Sequence, residues 1–447
     1  MKSIREQILD ILMNSEKDES YIQLALKKAL KDLELKDKNF ITEVVYGTIK
    51  NRMKLDYIIN RFSNTPVNKM KPLVRNNLRI AVYQIFYMDK VPVSAAINEA
   101  VKIMHNRKIK QLTGFVNAVL RKIANNQSNI SFPSKEENPK EYLSIMYSIP
   151  IWIINLWLKE YGFIDTEKIC IALSKKAKVT IRINRLLITK EQIVKELSEE
   201  GIIVQDGALL EESLYLKNTS DISKISSYNK GMWIVQDESA MLVAHILNPK
   251  KGERVLDMCS APGGKTTHIA ELMDNEGTLI AFDIHPHKID LINQNAKRMH
   301  LDIIDAKIED ATKYNHSFDK WFDKILLDAP CLGLGIMKRK PDIRYSKKEE
   351  DLKAITNLQK QMINNAYKYL KPGGTLVYST CSMTKEENEH IVLYAEKEFG
   401  MQLQDITHFL PEKLKNYAVN KGYIQILPHM ADTDGFFIAS LKKRENK

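Results

Sequence analysis

Cysteine is scarce in this sequence and nowhere paired. The 447 residues contain four, Cys170, Cys259, Cys331 and Cys381, with no CxxC spacing and no histidine cluster beside them. That argues against a cysteine zinc site and, in a chain without a secretion signal, against a disulfide framework. No metal is expected. Long hydrophobic runs are missing as well. The longest strongly apolar stretch, residues 149–158, is broken by Pro150 and Asn155, whereas a bilayer span needs roughly 20 apolar residues. The opening Lys2-Ser3-Ile4-Arg5-Glu6 leads into a charged periodic helix and lacks the apolar core of a signal peptide. These absences lead us to expect a cytoplasmic protein with no membrane contact; a monomer is expected as well.

What is present is an ordinary globular composition, 44% apolar and 28% charged. The chain exceeds what one hydrophobic core supports, so two or three domains are expected. Charge is unevenly spread. Residues 1–127 hold 23 Lys+Arg against 12 Asp+Glu, while residues 128–447 hold 44 of each. Within the first part, residues 61–122 carry 12 basic residues and only Asp89 and Glu99 as acids. A localised basic surface suits a polyanion, with RNA the natural candidate. A solvated helix surface would read the same way.

Apolar residues at helical spacing fill residues 1–125, for example Ile4, Ile8, Ile11 and Leu12, with Pro66, Pro72 and Pro92 as punctuation. This predicts an all-α domain of six or seven helices over residues 1–127. The polar, proline-bearing stretch 125–139 reads as a linker. Residues 140–235 read as a small α/β domain, in which Val179, Ile181 and Ile183 alternate with polar residues as a half-buried strand. From 236 to 447 the pattern turns to strand–helix–strand. Strands are predicted at 254–259, 278–283, 324–328 and 375–381, and helices at 266–273, 288–299 and 348–370. The alternation predicts a Rossmann-like parallel sheet that binds ligands beyond its C-terminal strand ends. Residues 435–441 read as a closing edge strand.

The first of these strands runs into Asp257-Met258-Cys259-Ser260-Ala261-Pro262-Gly263-Gly264-Lys265-Thr266-Thr267. Glycines between strand and helix let the backbone approach a ligand and leave helix N-terminal amides facing it. A P-loop would need glycine five positions before Gly264, where Cys259 stands, so that reading fails. An adenosine cofactor in a Rossmann-like crevice would instead need an acid about 20 positions on for the ribose hydroxyls. Asp283 lies twenty residues after Gly263. Nicotinamide enzymes share that logic, so the remaining strand ends must decide.

The strand predicted at 324–328 runs into Asp328-Ala329-Pro330-Cys331, and the one at 375–381 ends in Tyr378-Ser379-Thr380-Cys381. Neighbouring strands would bring Asp328, Cys331 and Cys381 to one rim beside the cofactor. This set suits methylation of a pyrimidine. Carbon 5 of cytosine is too weak a nucleophile for a methyl sulfonium until a thiolate adds to carbon 6 and makes an enamine. A base must then remove the carbon 5 proton, and Asp328 can orient the ring's polar edge. Nearby positive charge would help to form the thiolate. Spacing alone does not say which cysteine attacks.

The segments DMCSAPGGKT (257–266), DAPCLGLG (328–335) and YSTCSM (378–383) together resemble the RNA cytosine-5 methyltransferases. With the helical N-terminal part, the likeness narrows to the Sun/RsmB branch, the small-subunit ribosomal RNA enzymes. Residues 92–122 resemble the NusB-type RNA-binding domain of that branch, and residues 233–240 and 428–437 are also similar to family segments. The resemblance implies three parts: an all-α NusB-like N-terminal domain, a small α/β domain and a Rossmann-like α/β S-adenosylmethionine-dependent methyltransferase domain. It implies that Cys259, Ser260, Ala261, Pro262, Gly263, Gly264, Lys265, Asp283, Asp310 and Asp328 line the S-adenosylmethionine site. Cys381 would be the nucleophile and Cys331 the assistant in product release. Residues 338–344 resemble the family's substrate-side loop. Ser260 and Leu332 stand where the family commonly has Ala and Ser. The implied reaction is methylation of carbon 5 of a cytosine in 16S ribosomal RNA, at the family's site cytosine 967. Transfer RNA as substrate, or an inert NusB-like RNA-binding factor, would be the alternatives.

Overall fold

The structure is a computed structural model and describes residues 2–17, 22–31, 33–219 and 221–445. The chain divides into two compact units: Met1–Ser174 with Arg339–Lys347, and Lys175–Lys338 with Lys348–Lys447.

The first unit is helical. Its first 125 residues form α1 (Ile4–Lys17), α2 (Ile22–Ala29), α3 (Leu35–Lys50), α4 (Arg52–Phe62), α5 (Pro72–Tyr87), α6 (Val93–Asn106) and α7 (Thr113–Asn125). Pro72 opens α5 at its first turn, where a missing N–H costs nothing. Helix α5 is the hub: it packs on α1, α3, α4, α6 and α7 and buries Leu78, Ala81, Val82 and Ile85. Arg79, 4% exposed, lies inside this bundle because Asp56 (2.6 Å) and Glu16 (2.9 Å) take its charge. The polar stretch after α7 stays on this unit, with Phe132 stacked on Tyr57 at 5.6 Å. Helices α8 (Pro139–Tyr147) and α9 (Ile151–Ser174) complete it; α9 breaks at Gly162, whose φ is +71°.

Three of the twelve basic side chains in residues 61–122 are consumed internally. Arg75 pairs with Glu16 at 2.6 Å, Arg79 is held as above, and Arg107 pairs with Asp10 at 2.7 Å. Others remain exposed, among them Lys69, Lys71, Lys108, Lys110, Arg121 and Lys122.

The second unit holds two sheets. The smaller has β1 (Val179–Ile183), β2 (Ile203–Asp206), β3 (Ser213–Lys217) and β4 (Trp233–Val235), antiparallel in the order β2-β3-β1-β4, with α10 (Lys190–Glu199) and α11 (Ser226–Asn229). Strand β1 corrects the half-buried reading, since Thr180 and Arg182 are as buried as Ile181 and Ile183. Alternation marks a wet face only when nothing covers the polar side.

The larger sheet follows α12 (Glu238–Leu247). It contains β5 (Arg254–Asp257), β6 (Thr278–Asp283), β7 (Ile304–Ile308), β8 (Phe322–Asp328), β9 (Leu370–Thr380), β10 (Gln402–Leu403), β11 (Ala418–Val419), β12 (Tyr423–Ile426) and β13 (Phe436–Lys442). The order is β11-β12-β13-β9-β8-β5-β6-β7, parallel from β9 through β7. Helices α13 (Gly264–Leu272), α14 (Pro286–Arg298), α15 (Ile343–Ser346), α16 (Asp351–Tyr369) and α17 (Glu389–Phe399) fall between strands in the chain; α15 lies in the segment assigned to the first unit. Strand β13 is not the edge strand expected at 435–441. It runs antiparallel between β9 and β12, and six consecutive buried residues, Phe436 to Leu441, fit an interior strand covered on both faces. No described helix is long and apolar enough to cross a membrane.

Candidate active site

The parallel strands put Asp257, Asp283, Asp328 and Thr380 at their C-terminal ends, on one rim of the sheet. Strand order reverses between β5 and β8, and a crevice forms at such a switch point. Residues 258–263 leave β5 there and enter α13. The turn is pinned to β6, because the amide (2.9 Å) and hydroxyl (2.8 Å) of Ser260 both donate to the Phe282 carbonyl. Gly263 caps α13 at φ +99°, a left-handed conformation costly for any side chain. The first-turn amides of α13 therefore face the crevice mouth.

Around this turn stand two of the expected acids. Asp283 ends β6 and is 8% exposed; it accepts the His285 amide at 3.1 Å and faces Lys288 at 3.5 Å. Its two oxygens keep acceptor capacity for hydroxyl donors. Asp310 lies two residues beyond β7, where it accepts both the amide (3.0 Å) and the hydroxyl (2.6 Å) of Thr312. Those bonds, the hydroxyl's above all, hold its carboxyl below the usual range. Amides, a left-handed glycine and two carboxyl side chains at adjacent strand ends fit the amino-acid and ribose parts of an adenosyl cofactor.

Lys265 and Asp328 meet across the switch point at 2.7 Å, and the Ser379 hydroxyl donates to the other Asp328 oxygen, also at 2.7 Å. Burial opposes the Lys265 charge, but Asp328, with a smaller contribution from Cys381, outweighs it and holds the ammonium above the ordinary lysine value. The sulfurs of Cys331 and Cys381 lie 3.3 Å apart. The hydrogen bond to Cys381, with burial second, pushes the Cys331 thiol well up. Cys259 is different: its sulfur sits 4.0 Å from the Met362 sulfur, and burial pushes its thiol well up. Cys170, in the first unit, is pushed up to about 12 by burial.

Two residues that sequence reasoning passed over, Glu387 and Arg182, support this site. Glu387 is fully buried and ties both cysteine loops together: it accepts the Leu332 amide at 2.7 Å, the Thr384 hydroxyl at 2.7 Å and the Ser382 hydroxyl. Thr384-x-x-Glu387 is a helix-start pattern that could have exposed it. The Gly335 amide adds a direct link to the Cys381 carbonyl at 2.9 Å, and a Cβ at Gly335 would lie 1.9 Å from the Gly435 carbonyl oxygen. Arg182, from β1, is fully buried; it donates to the Gly264 carbonyl (2.8 Å), Thr267 (3.0 Å), Glu271 (2.7 Å) and Gln236. The small sheet thereby grips the first turns of α13. Asp257 is 1% exposed, bonded to the Thr266 hydroxyl at 2.7 Å, and burial raises its carboxyl to about 7.

A raised native pKa means that Asp257 keeps its proton on folding, so its contribution is complete below about 4 and lost as pH rises through about 7. Thermal melts without cofactor should therefore show Asp257→Asn gaining on wild type across that window, with a constant difference above it. A difference flat from pH 4 to 8 would contradict a buried neutral acid. Glu387→Gln should lower kcat by roughly ten- to a hundred-fold by loosening the two thiol loops while leaving cofactor affinity unchanged. Equal loss of both would remove its special role.

Both basic ends of the 338–344 segment, expected on a substrate-side loop, are buried. Lys338 is 4% exposed and paired with Asp432 at 2.6 Å. Arg344 is 1% exposed, and its guanidinium donates to the carbonyls of Lys50, Tyr147, Ser148 and Leu173 at 3.0–3.4 Å. With its charge spent on four carbonyls inside the helical unit, this guanidinium serves as an internal peg.

Comparison with known proteins agrees with this architecture. Residues 244–442 match the family described as 16S rRNA methyltransferase RsmB/F. Residues 2–125 match the NusB family, and 149–223 the ferredoxin-like domain of RsmF/B-like methyltransferases. The chain is 41% identical, over 99% of both sequences, to the "Probable ribosomal RNA small subunit methyltransferase B" of Bacillus subtilis (strain 168). The chain belongs to the RsmB/F methyltransferase family. A second relative, the ribosomal RNA small subunit methyltransferase B of Proteus mirabilis (strain HI4320), is 30% identical over 93% of this chain and 92% of its own. Among solved structures, PH0851 superposes with a TM-score of 0.81 at 28% identity, covering 99% of both chains. NSun6 from Pyrococcus horikoshii, determined with SFG, gives 0.57 at 25% identity over 70% of this chain and 99% of that one. The RsmB/F family fold is thus the helical NusB part, the ferredoxin-like part and the methyltransferase sheet described above.

Proposed function

We propose that this RsmB/F family chain methylates carbon 5 of a cytosine in 16S ribosomal RNA, with Cys381 as the covalent nucleophile. The observation that carries the reading is the pair of thiols 3.3 Å apart beside a lysine–aspartate pair at a cofactor crevice. S-adenosylmethionine held by α13, Asp283 and Asp310 supplies the methyl group; the SFG complex of NSun6, an analogue of that donor, supports the choice. The Cys381 sulfur adds to carbon 6, and the ring's electron pair moves to carbon 5, which takes the methyl. A base then removes the carbon 5 proton, the ring double bond re-forms, and the carbon–sulfur bond breaks. The Lys265 ammonium offsets the charge of a Cys381 thiolate. Cys331, held as a thiol, hydrogen-bonds the departing sulfur. Asp328, fixed by Lys265 and Ser379, accepts the amino group of cytosine, a donor that uracil lacks.

Transfer of labelled methyl groups to a 16S transcript, followed by nucleoside analysis, tests this directly. Label in 5-methylcytidine is expected; label elsewhere, or RNA binding without transfer, overturns the reading. The helical part would dock RNA through its exposed bases. Replacing Lys69, Lys71, Lys108 and Lys110 by Ala should flatten the log affinity–log salt slope by about 3, at ~0.7 per phosphate contact on single strands. An unchanged slope would remove these side chains from the interface.

A further inference from the structure

Far along the chain from both cysteine motifs, three metal-ligating side chains converge from separate elements of the second unit. Glu212 precedes β3, His245 lies in the last turn of α12, and His268 lies on α13. One ligand atom from each falls within 4.8 Å of the others. The Glu212 carboxylate is 2.5 Å from His245 Nε2 and 3.7 Å from His268 Nε2, and the two imidazoles meet edge to face at 5.1 Å. Cysteine spacing could not reveal this set, because it contains no cysteine.

We propose that Glu212, His245 and His268 form a zinc site. Two imidazoles and a carboxylate are a set that zinc takes with a fourth position left to solvent, and nitrogen and oxygen donors favour zinc over magnesium or calcium. Three further observations support it. His268 is 2% exposed, its Nε2 faces the Glu212 carboxylate at 3.7 Å, and its Nδ1 makes no hydrogen bond, so the ring is not committed to a protein acceptor. A cavity of ≈ 300 Å³ lined by Glu212, His268 and Arg185 adjoins the cluster, giving room for a water or small anion as fourth ligand. Of the two nearby cations, Arg182 is paired with Glu271 at 2.7 Å, and Arg185 on the cavity wall would favour an anion as the fourth ligand. Zinc–ligand bonds of about 2.0–2.2 Å set ligand atoms ~3.3–3.5 Å apart, so Glu212 and His245 would part from 2.5 Å while His268 closes slightly from 3.7 Å. The ion would clamp the ferredoxin-like part to α12 and α13, the helix whose first turn carries the cofactor loop.

The test uses the full chain after chelator dialysis, titrated with cobalt(II) and then zinc. A single equivalent of cobalt is expected, with weak visible d–d bands and no sulfur-to-metal charge-transfer band, displaced by zinc. Zinc should also raise the melting temperature. His245→Gln keeps a hydrogen-bond donor toward Glu212 and should fold normally by circular dichroism while losing the cobalt spectrum and the zinc-induced shift. His268→Gln serves as the second variant. Absence of stoichiometric binding, a thiolate charge-transfer band pointing to Cys331 and Cys381, or binding that survives His245→Gln would each overturn the site.

Discussion

Cys331→Ala protein mixed with RNA substrate and S-adenosylmethionine is expected to run on a denaturing gel as a covalent protein–RNA adduct, and Cys381→Ala as free protein. The expectation follows from a single contact with two unequal members. The sulfurs are 3.3 Å apart, and Cys331 is held protonated by its hydrogen bond to Cys381 and by burial. Cys381 instead lies directly after Ser379 and Thr380, next to the Lys265–Asp328 pair that Ser379 bonds. Removing Cys331 leaves bond formation intact and withdraws the group beside the departing sulfur, so the adduct persists. Removing Cys381 deletes the nucleophile, and turnover should fall by several orders of magnitude. Adduct from Cys381→Ala and none from Cys331→Ala would exchange the two roles.

Arg182→Met should be the most destabilising single change in the second unit outside its apolar core. It strands the Glu271 carboxylate and the Gly264 carbonyl, both bonded to this guanidinium, in a buried setting. Breaking such a pair costs about 3–5 kcal/mol. Because Gly264 opens α13, the same change should weaken cofactor binding, measured by calorimetry at a temperature where the variant remains folded. Arg182→Lys keeps the charge but cannot reach all four acceptors, so it should recover stability only in part. Wild-type stability in Arg182→Met, by denaturant midpoint, would show that β1 does not brace the cofactor helix.

Local sequence carries the strands and helices that surround the crevice. The predicted strand at 278–283 coincides with β6 (Thr278–Asp283), and the other three parallel strands occur with ends displaced by a few residues. Strand ends carry chemistry in such sheets, so Asp283, Asp328 and Cys381 stand out from the amino-acid pattern itself. Long-range pairing is less legible. Polar residues buried by a distant partner look exposed in sequence, which hides Arg182 and Glu387. Arg344 looks like part of a basic substrate loop because nothing local shows that carbonyls of Lys50, Tyr147, Ser148 and Leu173 converge on it. The last strand reads as an edge because its neighbour β12 lies in a weakly patterned stretch. Asp310 is reached through family likeness alone; its Thr312 partner shows only how it is held. The Glu212–His245–His268 cluster spans 57 positions of sequence, beyond any motif window.

The most direct measurement of the covalent chemistry uses wild-type protein and RNA containing 5-fluorocytidine, in which carbon 5 has no proton to lose after methyl transfer. Digestion and mass spectrometry of the stalled complex should find the methylated, fluorinated nucleotide on the peptide bearing Cys381. A complex carried by Cys331 or Cys259, or methyl transfer that leaves no protein-bound nucleotide, would contradict attack by Cys381.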